Sequence, residues 1–313
     1  MNSVDESRNL VQIQGQTILY QNNKDLLRRT VRSIAEAVQF SRSRGRNVRL
    51  CYKWGDASPQ PLFSEEEIQT IRDELMEYLD LDYAFFNRNT GTSYGHNRLA
   101  QNCEATYLWI MNPDIVAQAD FLEEILHPFE KDLDKKIGIV EGRQTPLEHL
   151  KQYNVLTGET SWGSGACTLF RTEAYLGVNG YDEESFFMYC DDVDISWRIR
   201  LKGYQVIYQP TAVVFHDKRL SEKGQYIASD AEVKFTLEAR LLMAWKWSYP
   251  RLVEKLLDEY EKEEHPAYRF ALESFRKRQK ENRLPKPIDP EHKAGDIQLT
   301  SEGTFLDYGA SRY

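Results

Sequence analysis

The side chains best suited to chemistry in this chain are acids and a histidine at the ends of apolar runs. Residues 186–200 read FFMYCDDVDISWRIR, which puts Asp191, Asp192 and Asp194 directly behind bulky aromatic residues. Aspartates crowded beside apolar surface repel one another and lose hydration, so they stay charged only with a helix dipole, cations or a metal nearby. A carboxylate whose pKa is pushed up in this way becomes a usable general base. A second acid, Asp114, follows the apolar run YLWIM in the tripeptide Asn112-Pro113-Asp114, and His216 closes the run TAVVF. Pro113 cannot continue a central strand, so Asp114 is expected just past the strand's carboxyl end, where open α/β sheets bind ligands. A base on one edge and a metal on another would account for both groups. Each also has a plainer reading: acids at a helix start complement its dipole, Asp114 suits a turn, and a lone histidine is commonly a hydrogen-bonded core residue. GDAS at 55–58 reads as a turn or a ligand contact, and the glycine-containing NTGTSYGHN at 89–97 as a loop before a helix.

The elements that must position these residues follow from hydrophobic patterning. QTILY, VRLCYKW, DYAFF and YLWIM read as strands, alternating with the helical patterns KDLLRRTVRSIAEAVQFSRSRG, SEEEIQTIRDELMEYL and GHNRLAQNCE. Such alternation predicts a mostly parallel central sheet with helices on its faces. GIVEGR reads as a further strand, RQTPLEHLKQYNVLTGETSWGSG as a long polar connection, FFMYC as a strand or loop, and DDVDISWRIRLKG as a helix stopped by Gly203. YQVIY and TAVVF read as two short strands. Beyond about residue 229 the pattern turns helical: Asp230 is a candidate cap for AEVKFTLEARLLMAWKW, Pro250 breaks that helix, and two more helical patterns precede an extended arm from RLPKPIDPEHKAGD onward. The expected division is 1–228, an α/β domain, and 229–313, a helical extension with a tail.

Composition narrows the partners. With 313 residues, 41% of them hydrophobic, the chain can bury a substantial core, and a formal charge of −9 argues against general nucleic-acid binding. Cys51, Cys103, Cys167 and Cys190 are scattered without CxxC spacing, which fits a reducing compartment. The opening MNSVDESRNL is polar rather than signal-like, so a cytoplasmic location is expected.

The order of these motifs resembles glycosyltransferase family 2, the inverting nucleotide-sugar transferases of GT-A fold. SWGSGACTLFRTEAYLGVNGYDEESFFMYCDDVDISWRIRLKGYQVIYQPTAVVFH is similar to that family's acceptor and catalytic segment, with NTGTSYGHNRLA and WIMNPD matching its donor segments upstream. RQTPLEHLKQYNVLTGETSW is similar to segments of rhamnosyl- and galactofuranosyltransferases. The resemblance implies Asp192 as catalytic base with Asp191 beside it, and Asp114 and His216 as ligands of Mn²⁺ or Mg²⁺. It further implies donor contacts from Asp56, Asn89, Asn97 and Asn112, with Tyr20 and Asn22 following from a looser match, and acceptor contacts from Trp162. Asp194 joins the acceptor group, with orientation of the base or helix capping as its other roles. Two departures stand out: Asn112 replaces the first acid of the family's DxD motif, and Asp191 replaces the usual Glu.

The expected function is therefore metal-assisted transfer of a sugar, from dTDP-rhamnose or a UDP-sugar, to a hydroxyl of a saccharide or lipid-linked acceptor in cell-surface polysaccharide synthesis. Its rivals are a catalytically silent nucleotide-sugar or saccharide binder and a nucleotidyltransferase. The latter lacks its usual glycine-rich loop, since TILYQNNKD contains no glycine. The C-terminal MAWKWSYP and FRKRQK admit peripheral contact with a membrane, but docking on the chain's own core or on a second copy is the favoured reading.

Overall fold

A computed structural model describes residues 10–148, 151–224, 226–299 and 306–309. The first half is a regular alternation: β1 (Val11–Leu19), α1 (Lys24–Ser43), β2 (Val48–Asp56), α2 (Glu65–Leu75), β3 (Asp80–Phe85), α3 (Gly91–Ala100) and β4 (Tyr107–Met111). Local chemistry sets the helix starts. Asn23 Oδ1 accepts from the backbone N–H groups of Asp25 and Leu26, and Ser64 with Glu67 forms a reciprocal capping box on α2. Helix α1 then buries the stripe Leu27, Val31, Ile34, Ala35 and Val38, the spacing of an amphipathic helix on a sheet.

The second half runs β5 (Ile115–Ala117), α4 (Phe121–Lys131), β6 (Ile137–Thr145), β7 (Glu159–Thr160), β8 (Cys167–Arg171), α5 (Thr172–Gly177), α6 (Asp191–Leu201) and β9 (Gln205–His216). The sheet order is β3-β2-β1-β4-β8-β6-β9-β5, with β7 on β9. Strands β3, β2, β1 and β4 are mutually parallel, whereas β8 lies antiparallel to both β4 and β6. Two reversals restore the direction, so β6 and β9 run the same way as β4, and Leu19, Asp56, Met111 and His216 end on one edge of the sheet.

Two expectations change. Strand β8 falls in a stretch read only as connection and acceptor segment, and it passes straight into α5 with no turn residues between. The two short strands near residue 210 are one strand, β9, interrupted opposite β6 where pairing jumps from Gly142↔Gln209 to Arg143↔Val213 and Pro210 leaves the ladder.

Beyond β9 come α7 (Asp230–Lys246), α8 (Pro250–Glu261) and α9 (Pro266–Lys280), then a short hairpin of β10 (Asp296–Leu299) with β11 (Leu306–Gly309). The cap of α7 is Ser229, in a capping box with Glu232, rather than Asp230. These helices share one hydrophobic core with α6: Trp197 of α6 meets Trp247 edge-to-face, their ring centroids 5.0 Å apart. The arm after α9 returns across this junction. Trp245 Nε1 donates to Pro285 O at 2.9 Å, and the Tyr249 hydroxyl donates to Asp296 Oδ1 at 2.7 Å. Among the described residues no helix is long and apolar enough to cross a membrane.

Candidate active site

The acid cluster is built where a loop meets two helices. FFMYC is a loop, not a strand, and it sits on the start of α3. Gly91 has φ +64°, and a Cβ there would lie 2.2 Å from Phe187 O, while the Thr92 N–H donates to that same oxygen at 2.9 Å. Tyr189 (φ 66°) and Cys190 (φ 54°), both left-handed, then swing the chain into α6. Asp191 Oδ2 accepts from the hydroxyls of Thr92 at 2.8 Å and Ser93 at 3.0 Å, and Oδ1 accepts from the Asp192 N–H at 3.1 Å. Burial, then the neighbouring Asp192 charge, pushes the Asp191 carboxyl up to about 6. Asp192 is half-buried; its Oδ2 accepts from the Gly165 N–H at 3.1 Å. Burial raises its pKa as well, while the N–H groups of Gly165 and Val193 pull the other way.

The second cluster stands at the sheet edge. Pairing of β5 with β9 puts Ile115 opposite His216, and Asp217 N–H donates to Asp114 O at 2.9 Å, so Asp114 and His216 are held side by side. His216 Nε2 lies 3.2 Å from Asp114 Oδ1 and 3.4 Å from Asn112 Nδ2, while Nδ1 lies 2.7 Å from Gln144 Oε1. Gln144 Oε1 can only accept, so it draws a proton to Nδ1; in the neutral ring this leaves the Nε2 lone pair beside the Asp114 carboxylate. Two converging acceptors fit a cation. Among the described residues no group of three or more His, Cys, Asp or Glu could hold a metal by itself, so Asp114 and His216 would supply only part of a coordination sphere.

One short segment joins the two clusters. Gly165 donates to Asp192, and the carbonyl of the next residue, Ala166, accepts from the Asn112 N–H at 2.9 Å. Trp162, half-buried at the head of this segment, has Lys151 Nζ 3.8 Å from its ring centroid.

Other expected contacts are placed differently. Asp194 is 0% exposed, and its carboxylate is occupied by Arg198 Nε at 2.7 Å, Lys246 Nζ at 2.6 Å and Trp247 Nε1 at 3.1 Å. It joins α6 to α7. Asn97 spends its side chain on Tyr175, Tyr181 and Glu183, tying α3 to the segment after α5. Asp56 is fully buried, with its oxygens accepting from the N–H groups of Ser58 and Leu62 and from the Tyr83 hydroxyl. It shapes the turn after β2 rather than offering a free carboxylate. Tyr20 and Asn22 lie at the carboxyl end of β1, with the Tyr20 N–H donating to Asn22 Oδ1 at 2.7 Å, and the exposed Asn89 accepts from the Gly91 N–H at 3.2 Å. Sequence reasoning missed Thr92, Ser93, Gln144, Gly165 and the buried pair of Glu141 with Lys151. Their place in the first turn of a helix that starts at a glycine, Gly91-Thr92-Ser93, could have pointed to the first two. A cavity of about 830 Å³ lies between α3, α5 and the segment after α5, lined in part by Arg98, Asp182, Arg198 and Lys246; Asp192 is not among its lining residues.

Comparison with known proteins bears on this geometry. No protein-family model matches the chain. Over 92 residues, 28% of the chain, it is 34% identical to N-acetylglucosaminyl-diphospho-decaprenol L-rhamnosyltransferase of Mycobacterium tuberculosis. Over 159 residues, 45% of the chain, it is 24% identical to poly-beta-1,6-N-acetyl-D-glucosamine synthase of Staphylococcus aureus. These matches span 29% and 37% of the relatives' own lengths, about a third of each. The structure of GalNAc-T7 with UDP, GalNAc and Mn²⁺ superposes with a TM-score of 0.60 at 14% identity, covering 89% of this chain and 55% of that one. The fold is that of the GT-A glycosyltransferases. Relatives and fold together support a family 2-like glycosyltransferase.

Proposed function

We propose that the chain is an inverting glycosyltransferase that moves a sugar from a nucleoside-diphosphate sugar to a hydroxyl of a saccharide or lipid-linked saccharide, in cell-surface polysaccharide synthesis. The observation that carries this reading is the coupling of a half-buried carboxylate, Asp192, to the Asn112, Asp114 and His216 cluster through the two adjacent residues Gly165 and Ala166. The mycobacterial relative's name makes dTDP-rhamnose the first donor to try, with UDP-sugars next, since GalNAc-T7 binds UDP.

In this reading the acceptor oxygen attacks the anomeric carbon as the bond from that carbon to the diphosphate oxygen breaks. The electron pair leaves with the diphosphate, and the acceptor proton passes to Asp192. A single displacement with the base opposite the leaving group inverts the anomeric centre. Asp191, fixed by Thr92 and Ser93, keeps Asp192 aimed into the site, and its negative charge strengthens its neighbour as a base. A divalent cation bound at Asp114 and His216 would neutralise charge on the departing diphosphate. Gln144 holds the imidazole in the tautomer that this requires, and Trp162 offers an aromatic wall for the acceptor sugar. Residues 1–228 form the catalytic unit in this proposal, with 229–313 an extension that supports α6 from behind; the expected site of action is the cytoplasm, with docking of the C-terminal helices on the chain's own core favoured over membrane contact.

Replacing Asp192 tests the assignment. Asp192→Asn keeps shape but cannot take the proton, so turnover should fall by about 10²-fold or more while protection of the protein by UDP with Mn²⁺ against thermal unfolding persists. Near-normal turnover would sink the base assignment, and loss of the UDP-Mn²⁺ protection would show that the variant damages the donor site instead.

A further inference from the structure

A lysine and a glutamate lie buried where no part of the proposed chemistry uses them. Glu141, on β6, and Lys151, in the connection that follows, form an ion pair whose side chains are only 3% and 4% exposed. Burying such a pair costs desolvation that hydrophobic residues of similar size would avoid, so its presence calls for a reason beyond stability. Its surroundings supply one. Lys151 Nζ also donates to Trp162 O at 3.1 Å and sits against the Trp162 ring, so the lysine pins both the backbone and the ring of that residue. From Trp162 the chain runs directly to Asp192: Gly163 N–H donates to Ser196 Oγ at 3.1 Å, Ser196 Oγ–H donates to Asp192 O at 2.7 Å, and Gly165 N–H donates to Asp192 Oδ2. A Cβ on Gly163 would lie 3.5 Å from Glu141 Cβ, which brings the ion pair up against this same segment.

We propose that Lys151 is a positioning residue for the transfer reaction: clamped between Glu141 and Trp162, it sets the acceptor wall and supplies positive charge that opposes the carboxylates gathered around Asp192. This rests on the reading of Asp192 as the base. The charged and titratable groups bearing on Asp192 are Asp191 on its own helix, Glu141 on β6, Lys151 on the connection and Tyr181 on the segment after α5. Lys151 favours the Asp192 carboxylate and Glu141 opposes it. Glu148, nearer the start of the connection, is engaged by the Tyr208 hydroxyl and Arg143.

The signs give the test. Removing the cation in Lys151→Met disfavours the ionised carboxylate and should move the Asp192 midpoint up by about one pH unit, whereas Glu141→Gln removes an anion and should move it down. The midpoint is read by carboxyl ¹³C NMR titration of the full chain, with the Asp192 signal identified by its loss in Asp192→Asn, so no substrate is needed. The double variant Lys151→Met/Glu141→Gln, which leaves no buried charge unpaired, should return close to wild type, and the downward shift in Glu141→Gln carries the test if Lys151→Met alone folds poorly. Shifts of opposite sign, with the acid limb of turnover of dTDP-rhamnose or a UDP-sugar following them, support the proposal. Unmoved midpoints, or shifts of both single variants in one direction, overturn it. Midpoints that move while the acid limb stays fixed refute Asp192 as the base, and with it the catalytic meaning of Lys151.

Discussion

Asp194→Asn separates a structural from a ligand-binding role for the third acid of the cluster. The wild-type carboxylate is wholly buried between Arg198 Nε at 2.7 Å, Lys246 Nζ at 2.6 Å and Trp247 Nε1 at 3.1 Å. Removing one partner of a buried ion pair strands the others, at a cost of about 3–5 kcal/mol. Two features pull the value to the lower end: Lys246 keeps Asp182 Oδ2 at 2.7 Å, and Arg198 keeps the carbonyls of Val178 and Gly180. The expected loss is therefore about 3 kcal/mol. With a urea m-value near 3 kcal/mol/M for a chain of this size, the unfolding midpoint should fall by roughly 1 M. Tryptophan fluorescence is a suitable probe because Trp197 and Trp247 meet at this junction. A cycle with Lys246→Met should show coupling, since the double variant no longer buries an unanswered lysine. Turnover per folded molecule should stay near normal. An unchanged midpoint together with a raised KM for acceptor would refute the reasoning and return Asp194 to the acceptor site.

Two further outcomes follow from the same geometry. The Asp191 carboxyl, raised to about 6 in the folded chain, holds its proton more tightly there than in the unfolded chain, so its contribution to stability is present at low pH and is lost as pH rises through about 6. Asp191→Asn should accordingly raise stability, read by thermal unfolding, by up to about 3 kcal/mol at pH 7.5 with little gain at pH 4, while turnover drops; equal effects at both pH values would contradict the linkage. Gln144→Ala should weaken Mn²⁺-dependent protection by UDP about tenfold or more in apparent affinity, because His216 loses the partner that fixes its tautomer, and unchanged affinity at limiting Mn²⁺ would count against a cation at that edge.

How far the site could be read in advance depended on the range of the interactions that define it. Alternating patterns exposed the parallel half of the sheet, because each strand there is bounded by turns and followed by an amphipathic helix. CTLFR escaped because it is short and flows into α5 without punctuation, and Pro210 divided β9 because a proline that leaves a ladder looks, in sequence, like one that ends it. The ends of apolar runs did mark the sheet edge: Asp114 and His216 meet there because pairing of β5 with β9 aligns them. What local pattern could not decide was which polar groups were already spent. The four partners that consume Asn97 come from residues 175 to 183, and those that bury Asp194 include Lys246 and Trp247. Nor does helix periodicity separate the three acids of α6. That helix is buried on nearly every side, and Ile195 and Ile199, both fully buried, lie on the same side as Asp192. Contacts made by distant residues distinguish the acids instead: the Asp194 carboxylate is taken up by Arg198, Lys246 and Trp247, whereas that of Asp192 accepts the backbone N–H groups of Gly165 and Val193.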